Sequence, residues 1–188
     1  RQAGFKIHAH WMANLHGATV KGDIEDYAKL WATGISPDEL KIYPTSIIEN
    51  TELFELYRRG KYKPYSYDQL MEVLTKTMPM TPRYCRLTRI IRDIPKEEIA
   101  AGNHKSNFRQ LAERELNKLG TPCECIRCRE VRRDIIKSEN EIKEEIIEYQ
   151  SSAGKEIFIS YVGLNTDGED RLLGFLRLLL PSEIGYIK

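Results

Sequence analysis

No apolar run in this chain approaches the roughly 20 residues that a membrane-spanning helix requires, and no stretch reads as a secretory signal. The expectation is therefore a soluble, cytoplasmic protein with no membrane partner. Net charge is nearly absent as well: 29 basic residues face 28 acidic ones for a balance of +1, so bulk electrostatics point to no partner. Internal repeats and low-complexity tracts are missing. Cysteine is scarce, with four in 188 residues. At 41% hydrophobic content a chain of this length can bury one good core or two small ones.

What is there is unevenly placed. Three of the four cysteines stand in Thr121-Pro122-Cys123-Glu124-Cys125-Ile126-Arg127-Cys128-Arg129. Thiolates this close repel one another unless a cation holds them, and Arg127 and Arg129 favour the ionised form. Zinc is the first choice; an iron-sulfur cluster, whose usual spacings this run does not match, and buried reduced thiols are the alternatives. The fourth ligand is expected from Cys85, the remaining cysteine, or from His104. Arginine is clustered too, at 83, 86, 89 and 92 and again at 127, 129, 132 and 133.

Short apolar runs alternate with helical periodicity up to about residue 90, as consecutive βα units do. Strands are expected over 5–10, 40–43 and 84–91, with helices over 23–31, 51–59 and 66–78, the last capped by Ser66. Three strands cannot close a barrel, so the missing ones are expected before residue 1 and the chain reads as an excerpt of something larger. Residues 106–119 have an amphipathic pattern stopped by Gly120. Strands over 141–149, 156–161 and 172–179, split by turn-forming residues, predict an antiparallel meander. The division expected is 1–100, a helical linker with the cysteine site over 101–139, and a second domain over 140–188.

Residues two apart on a strand share a face, so His8 and His10 project together, as do Lys41 and Tyr43. A lysine on an otherwise apolar strand is costly to bury without a role or a partner. Lys41 is thus a functional candidate with Tyr43 beside it as a hydrogen-bond donor or proton carrier. The histidines are candidates for ligands, an acid/base pair or satisfied core residues. On a strand Arg86 and Arg92 would point one way and Arg83 and Arg89 the other; guanidinium groups there suit phosphate, and with Arg127 to Arg133 they outline a path along a nucleic-acid backbone. Solvated or ion-paired surface arginines are the other reading.

The segments Leu40-Lys41-Ile42-Tyr43-Pro44-Thr45, Gly60-Lys61-Tyr62-Lys63-Pro64-Tyr65, Arg89-Ile90-Ile91-Arg92-Asp93-Ile94-Pro95, Leu119-Gly120-Thr121-Pro122-Cys123 and Arg129-Glu130-Val131 occur in the order seen in the catalytic subunit of Elongator. The chain resembles that family from Ala3-Gly4-Phe5-Lys6 to Leu173-Gly174-Phe175-Leu176-Arg177, and its prokaryotic members most closely. The resemblance implies an α/β fold: the second half of a partial TIM-type radical S-adenosylmethionine barrel, a zinc-binding linker, and the first antiparallel strands of a GNAT-like acetyltransferase domain. It implies formation of 5-carboxymethyluridine at U34 of tRNA from acetyl-CoA, by radical chemistry on a [4Fe-4S] cluster with S-adenosylmethionine. Lys41 and Tyr43 fall on the family's Lys-x-Tyr-Pro motif and would handle acetyl-CoA or substrate, with His8 and His10 at the cofactor. Arg86, Arg89, Arg92, Arg127, Arg129, Arg132 and Arg133 would hold the anticodon stem-loop. Cys85, Cys123, Cys125 and Cys128 would bind zinc; the cluster's cysteines and most of the acetyl-CoA pyrophosphate loop would lie outside this segment. A homodimer or further Elongator-type subunits are expected partners. Two rivals stand beside this reading: a zinc-stabilised tRNA-binding scaffold without its own chemistry, and another radical S-adenosylmethionine enzyme sharing only the barrel.

Overall fold

Parallel pairing of short apolar strands demands a crossover between each pair. The computed structural model describes residues 2–32, 34–90, 94–103, 105 and 107–182, and has that arrangement. Along the chain come β1 (His8–Ala13), α1 (Val20–Ala32), β2 (Glu39–Pro44), β3 (Ile47–Ile48), α2 (Glu52–Arg58), α3 (Tyr67–Thr77), β4 (Arg86–Ile90), β5 (Ile99–Ala101) and α4 (Phe108–Lys118). There follow α5 (Ile126–Arg129), β6 (Lys143–Ser151), β7 (Gly154–Leu164) and β8 (Asp170–Pro181). One sheet is parallel, in the order β1-β2-β4; another is an antiparallel meander, β6-β7-β8; β3 and β5 pair as a short antiparallel ladder.

One face of the parallel sheet carries Trp11, Ala13, Leu40, Ile42, Leu87 and Ile90, all buried. Against it pack Tyr27 of α1, Leu70, Val73 and Leu74 of α3, and Phe108, Ala112 and Leu116 of α4. Local signals set the helix ends: Thr51 accepts from Phe54 N to start α2, and Ser66 and Gln69 form a reciprocal capping box on α3. The first strand starts three residues later than its apolar pattern predicts. Ile7 N donates to the Asp38 carboxylate at 2.8 Å and Ile7 O accepts from Asp38 N and Glu39 N, so this residue clasps the loop before β2 instead of entering the ladder.

The antiparallel sheet turns inward a face that mixes charged and apolar side chains. Tyr149, Glu156, Phe158, Ser160 and Arg177 look toward the parallel sheet, while Ile146, Leu176, Leu178 and Leu180 on the other face are 43–61% exposed. Gly154 opens β7 at φ +142, where a side chain would collide with the Leu180 carbonyl. The expected boundary near residue 140 coincides with a 3₁₀ turn over Glu139–Glu141. Across it Phe158 and Leu172 join the same buried cluster as the parallel sheet, and Tyr84 stacks on Tyr149 with centroids 3.8 Å apart and planes 6° off parallel.

Ion pairs complete the seam. Arg177 of β8 pairs with the buried Asp38 and donates to Tyr84 O at 2.5 Å, and Lys6 reaches the fully buried Glu156 at 3.0 Å. Removing one partner of a buried pair strands the other charge, which costs about 3–5 kcal/mol. Arg177→Ala is accordingly expected to lower unfolding free energy in urea by that amount, whereas truncating the exposed Leu176 should change it by less than about 1 kcal/mol.

Candidate functional site

The other face of the parallel sheet is polar, and its register sorts the candidates into rungs. His8 stands opposite Glu39, and Glu39 opposite Arg86; His10 stands opposite Lys41, and Lys41 opposite Arg89; Met12 stands opposite Tyr43. Arg89 joins because the β2–β4 ladder shifts register between Leu40 and Lys41, leaving Thr88 as an extra residue. Strict alternation predicted that Arg86 and Arg89 would face apart; the bulge puts both on the polar face. Arg92 lies outside the described residues.

His8 has partners at both ring nitrogens, Glu39 at 3.2 Å from Nδ1 and the Thr88 hydroxyl at 3.3 Å from Nε2. The His10 ring lies between those of His8 and Tyr43, with centroids 5.6 and 5.3 Å away. Lys41 and Tyr43 are half-buried. A cation from each of two adjacent strands, flanked by an imidazole and a phenol, can hold an anionic group and move a proton beside it.

At the C-terminal end of β1, where β/α folds place their ligands, Asn14 takes a left-handed φ of 63°. Its N–H donates to the buried Asp23 at 2.8 Å, while its side-chain oxygen accepts from Tyr65 N at 2.6 Å and from the Tyr62 hydroxyl at 3.1 Å. Tyr65 also donates its hydroxyl to Asp23 at 2.9 Å. Burial, then the Asp23 charge, pushes the Tyr62 hydroxyl up to about 12. The anchored Asn14 leaves Leu15 and His16 exposed at the rim of the polar face. Both tyrosines fall in the segment Gly60-Lys61-Tyr62-Lys63-Pro64-Tyr65 that carries the family resemblance, but no pattern in the sequence joined them to Asn14 and Asp23.

Beyond the sheet's edge lies the cysteine run. As the outer strand, β4 would leave backbone groups unpaired. Ile126 N donates to Cys85 O at 2.9 Å, Arg109 to Leu87 O at 2.8 Å and Arg127 to Thr88 O at 2.5 Å. The Sγ atoms of Cys123, Cys125 and Cys128 lie within 4.8 Å of one another. Thiol hydrogen bonds from Cys123 and Cys128, then the Leu87 N–H and the Arg109 charge, hold Cys125 well below the usual thiol range although burial opposes this. Sulfurs around one tetrahedral zinc stand about 3.8 Å apart, so the three thiols fit a zinc ion after slight contraction. Cys85 is not within 4.8 Å of all three: it is buried in the turn just before β4, with its thiol pushed up by burial and then by the charge of Cys125. His104 lies outside the described residues.

The arginines divide. Arg129 is a correction to the expected RNA path, because its side chain is only 4% exposed, pairing with Asp170 at 3.3 Å and Glu145 at 3.7 Å and donating to Glu124 O and Arg83 O. Arg83 belongs to the same seam, bound to Glu145, Asp170 and Glu124. Arg86 is paired with Glu130, which also accepts from Arg132 at 3.4 Å. Arg132 and Arg133 are exposed and Arg127 half-buried. Spacing alone could not tell these apart, since the carboxylates that bury Arg83 and Arg129 include Glu145 and Asp170 from distant strands.

Comparison with known proteins first gives a class: residues 37–118 match the Radical_SAM C-terminal domain. Over 187 residues the chain is 36% identical to a tRNA uridine(34) acetyltransferase of Methanocaldococcus jannaschii, a match covering 96% of this chain and 34% of that protein. It is 34% identical to Elongator complex protein 3 of Homo sapiens, over 97% of this chain and 34% of the relative. A solved structure of the archaeal Methanocaldococcus infernus Elp3, lacking an N-terminal segment, superposes with a TM-score of 0.85 at 34% identity, covering 97% of this chain and 44% of that one. The chain is similar to proteins named Elongator complex protein 3 and tRNA uridine(34) acetyltransferase, and spans about a third of the length of the curated relatives it matches.

The division of the arginines is testable by stability alone. Arg129→Ala should cost about 2–4 kcal/mol in chemical denaturation, as the loss of a buried, multiply bonded cation does. Arg133→Glu should stay within about 0.5 kcal/mol of the parent.

Proposed function

We propose that this segment forms part of an enzyme that modifies U34 of tRNA, with the polar face of the parallel sheet as its reacting face. The observation that carries this reading is the convergence of His10, Lys41 and Arg89 in one rung, with Tyr43 adjacent, in a chain whose relatives are named for that modification. In this reading Lys41 and Arg89 hold an anionic part of the acetyl donor or of S-adenosylmethionine, and Tyr43, next to His10, carries a proton at its phenolic oxygen. A [4Fe-4S] cluster with S-adenosylmethionine would supply radical chemistry for placing a carboxymethyl group on the uracil. The residues here would bind and orient what it acts on and keep water from it. Acetyl-CoA is the proposed carbon source, and the product 5-carboxymethyluridine.

We divide the segment into the closing part of a partial barrel over 1–100, a zinc linker over 101–139 and the opening strands of an acetyltransferase domain from 140. Support for the last comes from the inverted sheet, whose apolar outer face is of the kind that a further layer of structure covers. Support for zinc comes from the three clustered thiols and from Arg109, which donates to Cys128 Sγ at 3.3 Å. The tRNA path would use the exposed Arg132 and Arg133 with Arg127 at their side, in the cytoplasm, and a second copy or further Elongator-type subunits would complete the assembly.

The test uses a full-length protein carrying these residues. Lys41→Ala is expected to reduce tRNA-stimulated acetyl-CoA turnover by about 10²-fold or more, with tRNA affinity kept; unchanged turnover would remove Lys41 from the site. Elemental analysis should find about one zinc per chain, lost in Cys125→Ala and retained in Cys85→Ala. Exchanging Arg133 for Glu should weaken tRNA binding and reduce its salt dependence.

A further inference from the structure

A tetrahedral zinc at Cys123, Cys125 and Cys128 is one donor short, since no fourth His, Cys, Asp or Glu among the described residues stands within 4.8 Å of all three sulfurs. We propose that Glu113 of α4 is the fourth ligand and that Arg109, one helical turn earlier, is the residue that positions it; this rests on the zinc reading above. Glu113 Oε1 lies 3.6 Å from Cys128 Sγ, with the thiol donating to the carboxylate. Zinc–sulfur and zinc–oxygen bonds of about 2.3 and 2.0 Å at a tetrahedral angle separate the two ligand atoms by about 3.5 Å. The carboxylate therefore already stands at ligand spacing from one of the three sulfurs, and a turn about its side-chain torsions is what brings it to the others. Glu113 lines, with Cys123, Cys128 and Arg127, an open pocket of about 560 Å³, which leaves room for that turn.

Arg109 gives the arrangement its direction. Its side chain is 9% exposed and each of its three nitrogens has a partner: Nη1 donates to Leu87 O at 2.8 Å, Nε to Glu113 Oε1 at 2.7 Å and Nη2 to Cys128 Sγ at 3.3 Å. One rigid guanidinium thus ties the carboxylate, the thiol and the edge of β4 together, as groups behind a metal ligand do. Charge points the same way. Three thiolates and a carboxylate around a divalent cation leave about two negative charges, and Arg109 and Arg127 stand beside them. On the helix, Arg109 and Glu113 read as an ordinary surface pair four residues apart; only the cysteine run folded against them gives the pair another use.

X-ray absorption spectroscopy at the zinc edge of the purified full-length protein reads the shell directly, without relying on a variant. The expected shell is three sulfurs at about 2.3 Å and one oxygen at about 2.0 Å. Glu113→Ala, a change at a partly exposed helix position, should weaken zinc about 10- to 100-fold against a chromophoric chelator, while Cys85→Ala and His104→Ala leave affinity unchanged. A shell of four sulfurs, a shell with a nitrogen sensitive to His104→Ala, or a three-sulfur, one-oxygen shell and full affinity surviving in Glu113→Ala would each overturn the assignment while leaving zinc in place. A protein that binds no zinc overturns the metal reading itself.

Discussion

Arg177 sets the geometry of the molecule. It starts on the last strand of the antiparallel sheet and ends on Asp38, the residue that leads into β2, while Asp38 with its other oxygen holds Ile7 ahead of β1. A single buried guanidinium therefore fixes where two strands of the parallel sheet begin. Neither charge has water to fall back on, so the pair is costly to break, and the meander that carries the arginine cannot drift from the sheet that carries the aspartate. The Tyr84–Tyr149 stack and the pairing of Arg83 and Arg129 with Glu145 and Asp170 repeat the same device along the seam.

The two sheets are built on opposite plans as a result. In the parallel sheet the apolar face is inward and the polar face lies opposite it, so the rungs His8-Glu39-Arg86 and His10-Lys41-Arg89 rest on a layer of Leu40, Ile42 and Leu87. In the meander the inward face supplies both the charged residues of the seam and the buried Phe158, and Ile146, Leu176, Leu178 and Leu180 are left exposed on the other face. The cysteine run sits between them at the edge of β4, whose backbone groups it and its arginines satisfy. A metal there would lock the junction from the side, in support of the pairs that lock it from within.

Element positions were legible in the sequence because they rest on local physics: period-2 and period-3.6 patterns, the Ser66 capping box, Gly120 after an amphipathic run. So was the pairing of His8 with His10 and of Lys41 with Tyr43, since alternation along one strand needs no partner. What failed was what depends on a partner. The bulge at Thr88, which swings Arg89 onto the face of Lys41, is a property of the β2–β4 ladder and not of Arg86–Ile90 alone. Arg129 and Arg133 look alike in sequence, yet one is buried among carboxylates 16 and 41 residues away while the other is exposed.

The central claim is that both sheets form one cooperative unit, so that the polar face and the meander keep a fixed relation. Hydrogen-exchange mass spectrometry over a denaturant series, following peptides from residues 39–44 and 154–164, tests it most directly. The account predicts that both lose protection at the same denaturant concentration with the same slope. Loss of protection over 154–164 while 39–44 stays protected would show that the seam does not couple the sheets, and would contradict it.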